Sequence, residues 1–103
     1  VLKVSEVYEK QIRTTRERPD GSEYLNFEKV YETRECLVNT EYVVSIQPHE
    51  FTSDIDLARV QGSFPEGTKF STFVLDGNSF RTSEIIVVGS FEKFCRLLQE
   101  NDS

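Results

Sequence analysis

The chain has 103 residues, enough for one domain, with 37 % hydrophobic content carried largely by eight Phe and four Tyr, and no Trp or Met. A formal net charge of −6 argues against non-specific binding to nucleic acid or anionic membrane, which needs surplus Lys and Arg. No run of about 20 apolar residues exists to cross a bilayer, and VLKVSEVYEK, charged from residue 3, lacks the apolar stretch of a signal peptide. A soluble, cytoplasmic domain is therefore expected. At this length it buries roughly 65 % of its unfolded surface, so its core is thin and dimerisation would help it.

The charge is uneven. Residues 1–34 carry seven basic and seven acidic side chains, whereas residues 35–103 carry five and eleven, so the whole surplus of −6 lies in the second part. Cys36 and Cys95 have no CxxC spacing and sit in apolar patterns, which reads as two buried, reduced thiols rather than a disulfide or a zinc site.

In chain order, Leu2, Val4, Val7 and Tyr8 begin a strand that continues weakly through Ile12, Thr14 and Thr15. Arg18-Pro19-Asp20-Gly21-Ser22 is a turn with a mechanism: Pro fixes φ, Asp is favoured beside it, and Gly takes the φ > 0 site of a bulge. The return strand runs from Glu23 to Val38. Pairing Arg18 with Ser22 sets Leu2 against Val38, Val4 against Cys36, Glu6 against Arg34, Tyr8 against Glu32 and Arg16 against Tyr24. This register is apolar at the base and charge-complementary in the middle, with Glu17 against Glu23 as its one unfavourable pair. Strands of about seventeen residues span roughly 55 Å, whereas a chain of this size has a core only about 25–30 Å across. Residues 9–31 have no clean apolar face, so the hairpin is expected to project as an arm or to break in two.

Asn39-Thr40-Glu41 reads as a tight turn, and Tyr42–Ile46 as a short central strand ended by Pro48. Residues 48–67 are the least regular part, with a short helix expected from Ser53, its N-cap, to Gln61, and Gly62 as its stop. Thr68–Leu75 is a strand. Asp76-Gly77 predicts a two-residue turn that sets Leu75 against Asn78, Phe73 against Phe80 and Lys69 against Glu84. Ile85–Val88 is a buried strand run ended by Gly89. Ser90 then caps a helix over 90–100, whose Phe91, Phe94, Cys95 and Leu98 form one stripe. The fold class is thus α+β and mostly β: a small antiparallel β-roll of about five strands, with an extended N-terminal hairpin and a C-terminal helix packed on the sheet, residues 1–103 forming a single domain.

Chemistry-bearing patterns are sparse. The one histidine, His49, has acidic neighbours Glu50, Asp54 and Asp56 but no standard metal-ligand spacing, and reads as a solvated loop residue. No phosphate loop, nucleophile elbow or HExxH pattern occurs, so neither an enzyme nor a cofactor is expected. The arm is more informative. Arg13, Arg16 and Arg18 gather near its tip, with Tyr24, Phe27 and Tyr31 on the return strand. Arg and Tyr are the anchors enriched in protein interfaces, and an open strand edge invites pairing, so the first expectation is contact with a protein, self-association included. Nucleic acid, gripped by phosphate contact and ring stacking, is the alternative that the net charge disfavours. A third possibility is a small-ligand pocket beneath the 48–67 segment, with Phe51, Ile55, Leu57 and Phe64 packing it down as a lid.

The runs LKVSEV, RECLVNTEYVVSI, TKFSTFVLDGNSFRTSE and SFEKFCRLL resemble the small FlbD-like proteins associated with bacterial flagella, through Asn39, Tyr42, Val43, Ile46, Gly77, Glu84 and the Phe91–Leu98 helix. The chain also looks like the short proteins of tailed-phage genomes, which would place it in a bacterial host cytoplasm. The flagellar resemblance covers about half the chain, omits the insertion 9–33 and the lid 48–67, and implies no catalytic residue.

Overall fold

A computed structural model describes residues 1–76 and 82–101. Five strands, β1 (Leu2–Glu17), β2 (Glu23–Val38), β3 (Val43–His49), β4 (Phe70–Asp76) and β5 (Thr82–Val88), form one open antiparallel sheet in the order β2-β1-β5-β4-β3. Helix α1 (Asp54–Ser63) lies in the β3–β4 connection and helix α2 (Phe91–Asn101) follows β5. Among the described residues, no helix is long and apolar enough to cross a membrane.

Strand alternation divides the core in two. On one face, Val4, Val38, Phe73 and Val87 meet Phe94 of α2, with Ile46, Ile85 and Leu97 around them. On the other, Val7, Tyr31 and Phe70 meet Phe51, Val60 and Phe64 from the 48–67 segment. The lid is thus the second cover of the sheet, opposite the C-terminal helix. Ser90 caps α2 as expected, its Oγ accepting from the Lys93 N–H at 3.2 Å.

Gly89 makes the tight exit from β5 into α2. Its φ is +139°, and a Cβ there would lie 2.7 Å from two ring carbons of Phe94. Its N–H donates to the Lys69 carbonyl at 2.8 Å, and its carbonyl accepts from the Ser71 hydroxyl at 2.9 Å, so the backbone has little room to yield. Gly89→Ala is expected to cost about 2–4 kcal/mol, from backbone strain and overpacking together, read as a lower urea midpoint.

The first hairpin has the register its sequence demands, from Leu2↔Val38 to Arg16↔Tyr24, with Glu17 opposite Glu23. The Arg18 N–H donates to the Ser22 carbonyl at 2.8 Å, the Gly21 N–H donates to the Arg18 carbonyl at 2.9 Å, and Gly21 has φ +88°. Each strand holds 16 residues. β1 pairs with β5 only at Glu6↔Val87 and Val7↔Ile86, so the hairpin leaves the sheet beyond Val7 as a two-stranded ribbon. It gives the molecule extents of 66 × 34 × 22 Å and a radius of gyration of 17.6 Å, against about 13 Å for a compact chain of this length.

Three expectations are corrected. β3 is an edge strand, not a central one; Val44 points to solvent, and Pro48 lies inside the strand rather than ending it, because an edge tolerates a missing donor. Gly62 lies within α1, which ends at Ser63 with the Phe64 N–H bonded to the Val60 carbonyl. Phe73 faces Ile85, Leu75 faces Ser83 and Val74 faces Glu84, a register other than the expected one that set Lys69 against Glu84; Asn78 and Phe80, the expected partners of Leu75 and Phe73, lie outside the described residues. The turn-based register would have set Ile85–Val88 against residues 65–68, which contain Pro65 and Gly67; the observed one sets them against Phe70–Phe73 and buries Phe73 and Val87. The loop that includes Gly77 lies outside the described residues.

Candidate interaction surface

The projecting part of the hairpin carries most of the residues singled out by sequence. Its tip is held by Asp20, whose carboxylate accepts from the Ser22 N–H at 2.9 Å and hydroxyl at 2.6 Å; those bonds hold the Asp20 carboxyl below its ordinary pKa. On the face continuous with Val4 lie Arg16, Arg18 and Tyr24, and on the opposite face Arg13, Leu25 and Phe27.

The charges along the ribbon answer one another. Lys10 Nζ lies 3.5 Å from Glu32, Lys29 Nζ 4.0 Å from Glu9, and Arg16 is bonded to Glu28, whose carboxylate also accepts from Asn26 at 3.1 Å. At the base, Arg34 Nε donates to Glu6 at 2.7 Å, which raises the guanidinium pKa further. The other two cations of the arm cover rings: Arg13 sits 5.9 Å from the Phe27 centroid and Arg18 5.0 Å from that of Tyr24. Pairs this exposed contribute less than about 1 kcal/mol each, so they orient the ribbon more than they stabilise it.

Tyr31 does not belong to this surface. It is buried against Phe51 at a centroid distance of 5.3 Å, and its hydroxyl donates to Asp56 of α1 at 3.0 Å. Strand alternation puts it on the same face as Phe27, but α1 packs over the base of the arm and covers only Tyr31. The lid residues divide in the same way. Phe51 and Phe64 each pack edge-on against Phe70 at 5.1 Å, whereas Ile55 and Leu57 point outward, Ile55 with 65 % of its surface exposed. The residue that sequence reasoning missed is Leu25, 59 % exposed beside Phe27 at 53 %. Its signal is present once the register is fixed, because residues two apart on a strand share a face.

His49 ends β3 and is half-buried rather than a solvated loop residue. Its Nδ1 is hydrogen-bonded to Thr72 Oγ1 at 3.0 Å, and its ring stands edge-on to Phe51 at 4.7 Å. Among the described residues, no group of three or more His, Cys, Asp or Glu side chains is placed to hold a metal. Cys36 and Cys95 are free and half-buried. A groove of about 660 Å³ runs between the arm and α1, with Gln11, Phe27, Lys29 and Arg59 on its walls. No family model, no curated protein and no solved structure matches the chain.

The Tyr31–Asp56 bond ties α1 to the foot of the arm and makes stability depend on pH at both ends. The Ser53 and Tyr31 hydroxyls lower the Asp56 pKa, so the stability it adds is present above its unfolded value near pH 4 and is lost as pH falls through the lower folded one. Burial and the bond to Asp56 raise the Tyr31 pKa, so its contribution holds below about pH 10 and is lost as pH rises through the higher folded value. Tyr31→Phe is expected to cost about 1 kcal/mol at neutral pH, to remove the alkaline loss and to soften the acid one, all read from urea midpoints against pH.

Proposed function

We propose that this chain is a binding module that acts through protein contact, with a second copy of itself as partner and the 9–31 hairpin as the contact. The observation that carries this reading is the Leu25/Phe27 pair, two large apolar side chains more than half exposed side by side on a ribbon that leaves the domain. Isolated apolar residues are ordinary at a surface, but an adjacent pair on an open strand marks a place of contact.

The electrostatics favour protein over nucleic acid. Residues 9–31 hold Lys10, Arg13, Arg16, Arg18 and Lys29 against Glu9, Glu17, Asp20, Glu23 and Glu28, five of each sign and no net charge. Three of the cations have a carboxylate within 4.0 Å, so Arg13 and Arg18 are the two whose charge a phosphate backbone would meet without competition from an ion pair.

The test is sedimentation equilibrium over a range of concentrations. A mass rising from 11.9 kDa toward twice that value is expected, weakened severalfold by Arg16→Ala with Tyr24→Ala. A monomer at every concentration would remove the reading, and micromolar binding to an oligonucleotide that falls steeply with salt would replace it.

A further inference from the structure

We propose that the outer edge of β2 is the contact itself: two copies pair edge to edge and antiparallel, with Asn26 of one facing Asn26 of the other, so that the two sheets become one. This rests on the self-association reading and adds to it a partner strand and a register.

β2 is the terminal strand of the sheet and runs for 16 residues, where a strand of about 5–6 is usual. Long open edges are protected in folded proteins by being paired, covered or interrupted. This one has neither a proline nor a bulge, and among the described residues no strand pairs along it. The direction of its free backbone groups follows from the turn. Because the Arg18 N–H bonds the Ser22 carbonyl, Tyr24, Asn26 and Glu28 direct their N–H and C=O groups inward to β1. Glu23, Leu25, Phe27 and Lys29 therefore direct theirs outward.

Centring the two-fold axis on Asn26 gives each of the four outward residues Glu23, Leu25, Phe27 and Lys29 a suitable partner. Leu25 faces Phe27 of the second copy and Phe27 faces its Leu25; Glu23 faces Lys29 and Lys29 faces Glu23. These are also the pairs that exchange both backbone bonds in an antiparallel ladder. On the opposite side of the ribbon the two Asn26 amides meet, and Tyr24 faces Glu28. The contact is self-complementary, as a two-fold interface must be.

The neighbouring centres on the projecting strand are less complementary in charge. An axis at Leu25 or Phe27 leaves Glu23 facing Phe27 or Tyr31 and loses both ion pairs. An axis at Glu28 or Lys29 sets like charges against each other. The Asn26 register also answers the one flaw in the hairpin. Glu17 and Glu23 stand opposite each other with no basic side chain within 4.0 Å of either among the described ion pairs, and Lys29 of the second copy would sit beside them. Lys29 is free to do so, since its own partner Glu9 is 4.0 Å away and both side chains are more than half exposed.

Two sets of variants test the register. Opposed residues in a non-hydrogen-bonded pair lie about 4.5 Å apart at Cα, within disulfide reach. Asn26→Cys is expected to give a dimer on mild oxidation that reductant reverses, while the wild-type chain and Leu25→Cys do not. Separately, Glu23→Lys and Lys29→Glu should each weaken the dimer by at least about tenfold, and the two together should restore it. If the wild-type chain sediments as a dimer but Leu25→Cys cross-links faster than Asn26→Cys, or the double charge swap fails to restore assembly, the register is overturned while self-association stands. If the wild-type chain is a monomer throughout, both fall.

Discussion

Leu25→Ser with Phe27→Ser is expected to leave the chain monomeric at concentrations where the wild type pairs, with the dissociation constant raised by at least about 100-fold. The two side chains are the large apolar groups exposed on the projecting ribbon away from Tyr24, and two-fold symmetry counts each of them twice in the interface. Central apolar anchors of this kind carry about 1–2 kcal/mol each when truncated, and about 2.8 kcal/mol corresponds to 100-fold. The fold should barely register the change. Neither residue belongs to either core cluster, and surface substitutions of this sort stay within about 0.5 kcal/mol. Sedimentation equilibrium and urea unfolding of the same variant separate the two effects. A midpoint that falls as far as the affinity would make Leu25 and Phe27 packing residues of the monomer, and the proposed contact would be lost.

Phe73→Ala has the opposite signature. Phe73 is fully buried at the centre of the face beneath α2, with its ring edge-on to Phe94 at 4.9 Å and with Ile46 and Ile85 opposite it on the neighbouring strands. Truncating a buried Phe costs about 3–5 kcal/mol in lost burial and the cavity left behind. Domains have about 5–15 kcal/mol in total, and one with so divided a core belongs at the low end of that range. The variant is expected to lose more than half of its unfolding free energy, measured as a urea midpoint at constant m-value. A shift below about 1 kcal/mol would mean that the α2 face is not the main core.

What the sequence reveals about this molecule depends on how local the deciding interactions are. Pro19, Asp20 and Gly21 determine the turn, and the turn determines sixteen residues of register on either side; whether the hairpin projects or breaks is not local, and the sequence leaves both open. Ser53 and Ser90 name the two helix starts for the same reason. Asp76-Gly77 offers an equally strong turn signal, yet the register it suggests gives way to the long-range demand of Ile85–Val88 for apolar partners on β4. The edge position of β3 is also non-local: Val44 reads as buried in a run of apolar residues, and only the strand order exposes it. In the candidate surface, Arg13, Arg16, Arg18, Tyr24 and Phe27 could be placed from composition and register alone. Tyr31 could not, because its burial depends on α1, which reaches it from 25 positions along the chain.

The two margins of the sheet are unequal, and this bears on how large an assembly can grow. β3, at the far side, is short, with seven residues, is irregular between Val43 and Ser45, and carries Pro48, which has no N–H to offer a newcomer. A pair joined through β2 would leave these β3 margins at its two ends, together with the β1 edge of each arm beyond Val7, which pairs with no described strand. If two copies join through β2 as proposed, the short, proline-bearing β3 edge would not extend the sheet further, and growth could continue only along the β1 edges of the arms.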